Sequence, residues 1–279
     1  MGLDASGGVW TAHLEAPAVR AALAGAKVVR SLHPVGTVGS TQDVALDLAV
    51  RGAPSGTLVV ADLQTAGRGR SGRTWDDHPE GRTLAMTLLL DVADASTIPL
   101  VPHAIGLAVV AACEAAAPAA RPLRLKWPND VIRRPAGAAA RKLAGILVER
   151  DELPTGTAAR EVLRCGIGID VDLRGVDDAA DRTSLATLAG QEPDRGMLLE
   201  ALVLALDESL ELLAQPGRLL DRYRRVSDTI GRPLRIEPPE GPPFDGVART
   251  VDEQGRLVVL TDAGERAILS ATIRDVVAP

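Results

Sequence analysis

The segment Gln64 to Trp75, QTAGRGRSGRTW, sets three glycines among three arginines, closes on a tryptophan and lies between two apolar runs. Glycines at this density suit a tight turn or a backbone that approaches a ligand closely, and they disfavour the interior of a helix or strand. Gly67, Gly69 and Gly72 fit G-x-G-x-x-G, and the run Thr57 to Asp62 just upstream reads as a strand, so a dinucleotide fold is one candidate. That fold needs a helix directly after the glycines and an acidic residue about 20 positions further on. Here the chain continues RTWDDHPEG and then TLAMTLLLDV, where Leu84, Met86, Leu88 and Leu90 alternate as in a strand. The dinucleotide reading fails on that point. An RGG-type RNA tail would be repetitive, whereas this is a single copy between two strands. Two readings remain, a solvated basic turn or a local anion site.

Aromatic residues help to separate these two. The chain has only 3 Trp, 1 Tyr and 1 Phe, so an indole beside Arg68, Arg70 and Arg73 offers a flat stacking surface next to positive charge. Glycine backbone N–H groups, guanidiniums and an aromatic face together suit a nucleotide. A second signal is LKWPND at Leu125 to Asp130. Pro128 cannot donate into a sheet and biases Trp127 toward extended backbone, so Leu123 to Lys126 is predicted as a short strand ending at an Asn-Asp turn. Lys126 then sits at a strand end, either solvated or held as a catalytic cation. The third signal is RKLAGILVE at Arg141 to Glu149, in which Gly145 removes a side chain from a strand, for a bulge or for close approach of a ligand.

Further strands are predicted over Lys142 to Arg150 and Glu161 to Asp170, and helices near Ala16 to Ala24, Pro102 to Ala116 and Met197 to Leu213. Ser40 followed by Asp43 fits a capping box ahead of the apolar-periodic run Val44 to Val50. Leu198, Leu199, Leu202 and Leu206 are spaced as the core face of a helix. Strands with helices interposed give an α+β class with a mixed sheet covered by helices.

In this order and spacing, GSTQ at Gly39 to Gln42, QTAGRGRSGRTW, KWPND and KLAGILVE resemble biotin protein ligases. The resemblance is close over Val38 to Asp172. It implies a catalytic domain over residues 1–230, with an N-terminal helical segment at 1–37, and a small SH3-like barrel over 231–279. In the latter, short strands alternate with turns at Gly255 and Gly264. A regulatory relative would carry a helix-turn-helix domain before the Ser-Thr element; the segment ahead of Gly39 is too short for one, so no operator binding is expected.

The resemblance further implies activation of biotin by MgATP to biotinyl-5′-AMP, then transfer to a lysine of a biotin carboxyl carrier protein or domain. By the same resemblance Ser40, Thr41, Gln42 and Gln64 hold the ureido ring, and the backbone at Arg68 and Gly69 closes over biotin. Lys126 bridges carboxylate and α-phosphate, Arg70 and Arg73 steady the phosphates, Trp75 stacks on adenine, Asn129 lies near the nucleotide, and Gly145 leaves room for the thiophene ring and tail. One departure is CGIGID at Cys165 to Asp170, where the family usually has asparagine at the end. Asp170 would repel ATP unless a metal bridges it, which makes it a candidate Mg²⁺ ligand. The loop arginines are expected to be mobile without ligand, because like charges repel.

Composition agrees with an enzyme of this kind. A net charge of -6 argues against an extended nucleic-acid surface. Cys113 and Cys165 sit in apolar sequence without metal-like spacing and read as buried thiols of a reducing, cytoplasmic compartment. The N-terminus lacks a signal-peptide pattern, its match to an acylation motif through Gly2 and Ser6 is read as chance, and the apolar stretch Ala104 to Cys113 is too short to span a bilayer. The other readings are a lipoate or octanoate transferase of related architecture and a non-catalytic nucleotide-binding regulator.

Overall fold

Alternating apolar residues make sheet, and the strands are joined largely as the sequence implies. The computed structural model describes residues 10–78, 81–92, 94–155, 158–176 and 181–276. The Gly2 and Ser6 match lies outside them. In chain order the first nine strands are β1 (Ser31–Val38), β2 (Thr57–Gln64), the two-residue β3 (Gly67–Arg68) and β4 (Thr74–Trp75), β5 (Thr83–Asp91), β6 (Arg124–Lys126), β7 (Asp130–Arg133), β8 (Arg141–Thr155) and β9 (Ala158–Asp170). The C-terminal strands are β10 (Pro233–Glu237), β11 (Phe244–Val251), β12 (Leu257–Thr261), β13 (Gly264–Ile268) and β14 (Thr272–Asp275). The helices are α1 (Thr11–Leu14), α2 (Pro17–Gly25), α3 (Thr41–Val50), α4 (Val101–Ala116), α5 (Leu185–Ala189), α6 (Arg195–Glu211) and α7 (Pro216–Val226).

Seven strands form one sheet in the order β1-β2-β5-β9-β8-β7-β6. The β1–β2 pair is parallel and every other pair is antiparallel, so the sheet is mixed. Successive strand residues face opposite sides. Leu58, Val60, Leu88 and Leu163 join a large core with α4, α6 and α7, whereas Val59, Leu89 and Val162 pack against Ala45 and Ala49 of α3 on the other side. The C-terminal strands form a five-stranded antiparallel sheet, order β13-β12-β11-β10-β14, the elements of the expected SH3-like domain. Its Leu234, Val251 and Ile273 belong to the same large core.

Helical structure over Ala95–Ala116 covers 22 residues, longer than the apolar stretch read from sequence and sufficient by length and composition to cross a membrane. A 3₁₀ turn runs straight into α4 and extends it. Its side chains from Val101 to Cys113 are mostly buried against α6 and the sheet, so it is a core helix. Ser40 caps α3, but its hydroxyl accepts from the Gln42 N–H at 3.3 Å, and Asp43 turns away to Arg68. The capping box is therefore only half formed.

His103 of α4 is 3% exposed, and its ring lies 4.4 Å from that of Tyr223. Neither ring nitrogen has a hydrogen-bond partner among the described residues. Burial pushes the imidazole down to about 4, an effect the nearby Pro99 carbonyl offsets only in part. The folded state thus holds His103 neutral where the unfolded chain takes up a proton. Stability from this group is full above about pH 6.5 and is lost as pH falls toward 4. We expect wild type to lose on the order of 3 kcal/mol relative to His103→Leu across that window. Denaturant midpoints at several pH values check this, and parallel curves would contradict it.

Candidate active site

Ser40, Thr41 and Gln64 meet where the start of α3 faces the end of β2. The Gln64 Oε1 accepts from the Thr41 N–H at 2.8 Å, the Thr41 hydroxyl at 3.0 Å and the Ser40 hydroxyl at 3.4 Å. Thr87 of β5 donates in turn to the Thr41 hydroxyl at 2.8 Å. Gln42, 3% exposed, donates from Nε2 to the carbonyls of Leu147 and Arg164, which fixes its amide. Its Oε1 is buried and has no partner among the described residues. An unmatched buried acceptor is costly unless something donates to it. Ser40, Thr41, Gln42 and Gln64 line a narrow cleft together with Arg68, Trp75, Asn129, Gly145 and Gly168.

The glycine/arginine segment is a hairpin. Gly67 pairs with Trp75 and Arg68 with Thr74, and the Gly69 N–H donates to the Arg73 carbonyl at 2.7 Å. Ser71 (φ 56) and Gly72 (φ 72) turn the tip in left-handed backbone, the conformation that favours glycine. A Cβ on Gly67 would lie 2.4 Å from the Trp75 carbonyl oxygen, so the strands close only over glycine. Asp77 fixes the base, accepting from the Gln64 N–H at 2.8 Å and from the Trp75 indole at 2.7 Å. Burial holds the Asp77 carboxyl above its ordinary range. Sequence reading missed this residue, which carries no pattern beyond its place two residues after the tryptophan.

Each loop arginine has an acidic or polar partner. Arg68 pairs with Asp43 at 2.8 Å and Glu149 at 3.5 Å. Arg70 donates to Asn129 at 3.1 Å and to Ser270 at 2.6 Å, and Arg73 to Thr272 at 2.8 Å. Asn129 also donates to the Ile146 carbonyl at 2.7 Å. The hairpin therefore spans from α3 to the C-terminal domain through neutral and acidic partners. Burial lowers the Arg70 guanidinium pKa.

Two lysines stand beside this cleft. Lys126, half-buried at the end of β6, faces a neighbouring cavity with Arg73 and Thr74. Lys142 lines that cavity too, pairs with Asp130 at 2.7 Å, and has its ammonium 5.4 Å from the Trp75 ring centroid. Its Nζ lies 2.9 Å from where a Cβ on Gly145 would sit. Lys142 is three residues from Gly145, a spacing that in a regular strand puts the two on opposite faces. The pairing skips Leu143, with Val131 opposite Ala144 and Ile132 opposite Lys142, and this bulge brings lysine and glycine to one side. Period-two reading of RKLAGILVE could not show it.

Asp170 is 0% exposed, and both its oxygens accept from the Arg182 guanidinium. Burial raises its carboxyl to about 6, with Arg182 opposing the shift. Both carboxylate oxygens of the candidate Mg²⁺ ligand are thus engaged by a guanidinium, and no cluster of three metal-ligating side chains occurs among the described residues. Cys113 and Cys165 are free and buried, and burial pushes both thiols up.

Trp10 and Trp127 are 0% and 1% exposed, so Trp75 is the tryptophan that external quenchers should reach most readily. Asp77→Ala frees the indole N–H and the Gln64 amide together. We expect fluorescence quenching by acrylamide to increase while far-UV circular dichroism is unchanged. Unaltered quenching would show that Asp77 does not hold the hairpin.

Residues 36–170 match the Biotin/lipoate A/B protein ligase family, and residues 229–274 match the Biotin protein ligase C terminal domain. The chain is 35% identical over 251 residues to the biotin--[acetyl-CoA-carboxylase] ligase of Mycobacterium tuberculosis, covering 86% of each. It is 34% identical over 231 residues to the bifunctional ligase/repressor BirA of Escherichia coli, covering 81% of this chain and 68% of that protein. The biotin protein ligase of Aquifex aeolicus, solved with biotin and ATP, superposes with a TM-score of 0.74 at 27% identity, over 88% of this chain and 100% of that one. The chain thus belongs to the biotin protein ligases.

Proposed function

We propose that the protein activates biotin as biotinyl-5′-AMP and then passes the biotinyl group to one lysine of a biotin carboxyl carrier protein or domain. The observation that carries this reading is the junction of two cavities. One is narrow and lined by neutral hydrogen-bonding and apolar groups with Arg68 as its one cation, the other has more cations than carboxylates on its wall, and Trp75 lies on the wall of both. A neutral ring fits the first and a polyphosphate the second.

The ureido ring belongs against Ser40, Thr41, Gln42 and Gln64, where a ring N–H would satisfy the unmatched Gln42 Oε1. Gly145 leaves space for the thiophene ring and tail, and the backbone at Arg68 and Gly69 covers biotin. The carboxylate oxygen attacks the α-phosphorus of MgATP, the P–O bond to pyrophosphate breaks, and pyrophosphate leaves with the electron pair. Mg²⁺ arrives with the triphosphate. The carrier lysine, as free amine, then attacks the acyl carbon; AMP leaves and the ammonium proton is lost. Both steps gather negative charge where cations are already held, which lowers the barrier most when the site excludes water.

Arg70 and Arg73 serve the phosphates, Trp75 the adenine and Asn129 the nucleotide side. Lys142 is better placed than Lys126 to bridge carboxylate and α-phosphate, since its ammonium reaches the Gly145 and Trp75 wall of the biotin cleft. Lys126 is assigned to the phosphates further out. We take residues 1–230 as the catalytic unit and 231–279 as the C-terminal domain, and place the protein in the cytoplasm, consistent with two buried free thiols.

Biotin-dependent exchange of radiolabelled pyrophosphate into ATP tests the reading. Exchange supported by lipoate or octanoate in place of biotin would overturn it in favour of a lipoyl-type transferase. In the same assay Lys142→Ala should lower the exchange rate by about 100-fold or more, with biotin binding weakened far less. Lys126→Ala should mainly raise the KM for ATP; the opposite pattern would return the bridging role to Lys126. Trp75→Ala should weaken ATP binding about tenfold with biotin affinity nearly unchanged, given the worth of stacking on an aromatic ring. Equal losses for both ligands would indicate a folding defect.

A further inference from the structure

The buried Asp170–Arg182 pair is a strong charge feature near the site that the proposed chemistry leaves unused. A carboxylate wholly removed from water is a poor way to stabilise a fold, because the desolvation cost of an ion pair offsets much of its attraction. What such a pair does provide is orientation, since a bidentate guanidinium has one fixed plane. Arg182 is held three ways. Its Nε donates to Asp170 at 2.9 Å with a second, shorter bond from Nη2, and its Nη1 donates to the Asp76 carbonyl at 3.3 Å. Its backbone forms a parallel bridge to Lys142, with the Lys142 N–H donating to the Asp181 carbonyl at 2.9 Å and the Thr183 N–H to the Lys142 carbonyl at 2.8 Å.

That scaffold puts the guanidinium carbon 4.9 Å from the centroid of the Trp75 ring, on the wall of the cationic cavity of about 600 Å³ shared with Arg73, Lys126 and Lys142. The volume suits a nucleotide. The side chain is 16% exposed, so it retains an accessible portion although its anchor is sealed. A planar cation over an indole, in a cavity whose wall also carries Arg73, Lys126, Lys142 and Arg274 against Asp76, Asp130 and Asp181, is equipped to contact a nucleotide at both its base and its phosphate.

We propose that Arg182 is a nucleotide-binding residue of this ligase and that Asp170 is its positioning residue. This rests on the two-cavity reading given above. The aspartate that stands where the family usually has asparagine thereby acquires a partner: its charge compensates a guanidinium that contacts the nucleotide, and it does not face the nucleotide itself. Arg182 carries no motif in the sequence, twelve residues after Asp170, so only the fold shows the pair.

Biotin-dependent ATP–pyrophosphate exchange with separate KM values for ATP and biotin tests the proposal. No biotin-dependent exchange by wild type would reject the underlying ligase reading. Given wild-type exchange, Arg182→Ala should raise the KM for ATP about tenfold or more while the KM for biotin stays within about threefold. Arg182→Lys, which keeps the charge and loses the planar fork, should fall between the two and serves if the alanine variant does not fold. Asp170→Asn should also raise the KM for ATP, but by no further factor when combined with Arg182→Ala, because a residue acting through another is silent once that one is gone. An unchanged KM for ATP in both Arg182 variants, equal losses for ATP and biotin, or multiplying effects in the double variant would each overturn it.

Discussion

Three glycines on two neighbouring strands decide where everything else in the site can lie. A Cβ on Gly168 of β9 would sit 2.4 Å from the Trp75 indole, and one on Gly166 would sit 2.6 Å from the Gln42 amide nitrogen. A Cβ on Gly145 of β8 would meet both Lys142 and Trp75. The indole is rigid and is fixed by Asp77, so it cannot withdraw, and Gly168 is the strictest of the three positions. By omitting side chains here, the sheet becomes a floor on which an aromatic ring, an amide and an ammonium can converge.

The hairpin that carries Trp75 is joined to that floor by charge. Arg68 links Asp43 of α3 to Glu149 of β8, and Glu149 also meets Arg164 at 2.9 Å, which in turn pairs with Asp151. The more exposed of these pairs, those of Arg68, contribute little stability singly. Their value lies in geometry, because they keep guanidiniums at the cleft while satisfying them with partners that an incoming anion can replace. Ser270 and Thr272 do the same for Arg70 and Arg73 from the C-terminal sheet, so the small domain contributes to the site as well as to the core.

Much of this was legible in the sequence because it rests on local pattern. The alternation from Leu84 to Leu90 marked β5 to the residue, and the glycine/arginine segment lay between strands as its flanks implied. β1 escaped notice because Pro34 and Gly36 interrupt it, which an edge strand tolerates. The Lys142 placement was hidden by the bulge at Leu143, since strand parity is blind to a skipped residue. Asp77 and Arg182 were hidden for another reason: their partners are set by the fold, and no spacing encodes them. Asp170 was noticed, but sequence supplied only its charge and not the guanidinium that neutralises it.

In the proposed reaction one site both makes the mixed anhydride and delivers its acyl group to a single lysine. Incubating the protein with a biotin carboxyl carrier domain, biotin and MgATP, followed by intact and peptide mass spectrometry, tests it most directly. The expected result is a mass gain of one biotinyl group on one lysine, absent when either ATP or biotin is omitted. A carrier left unmodified, or modified without ATP, would contradict it.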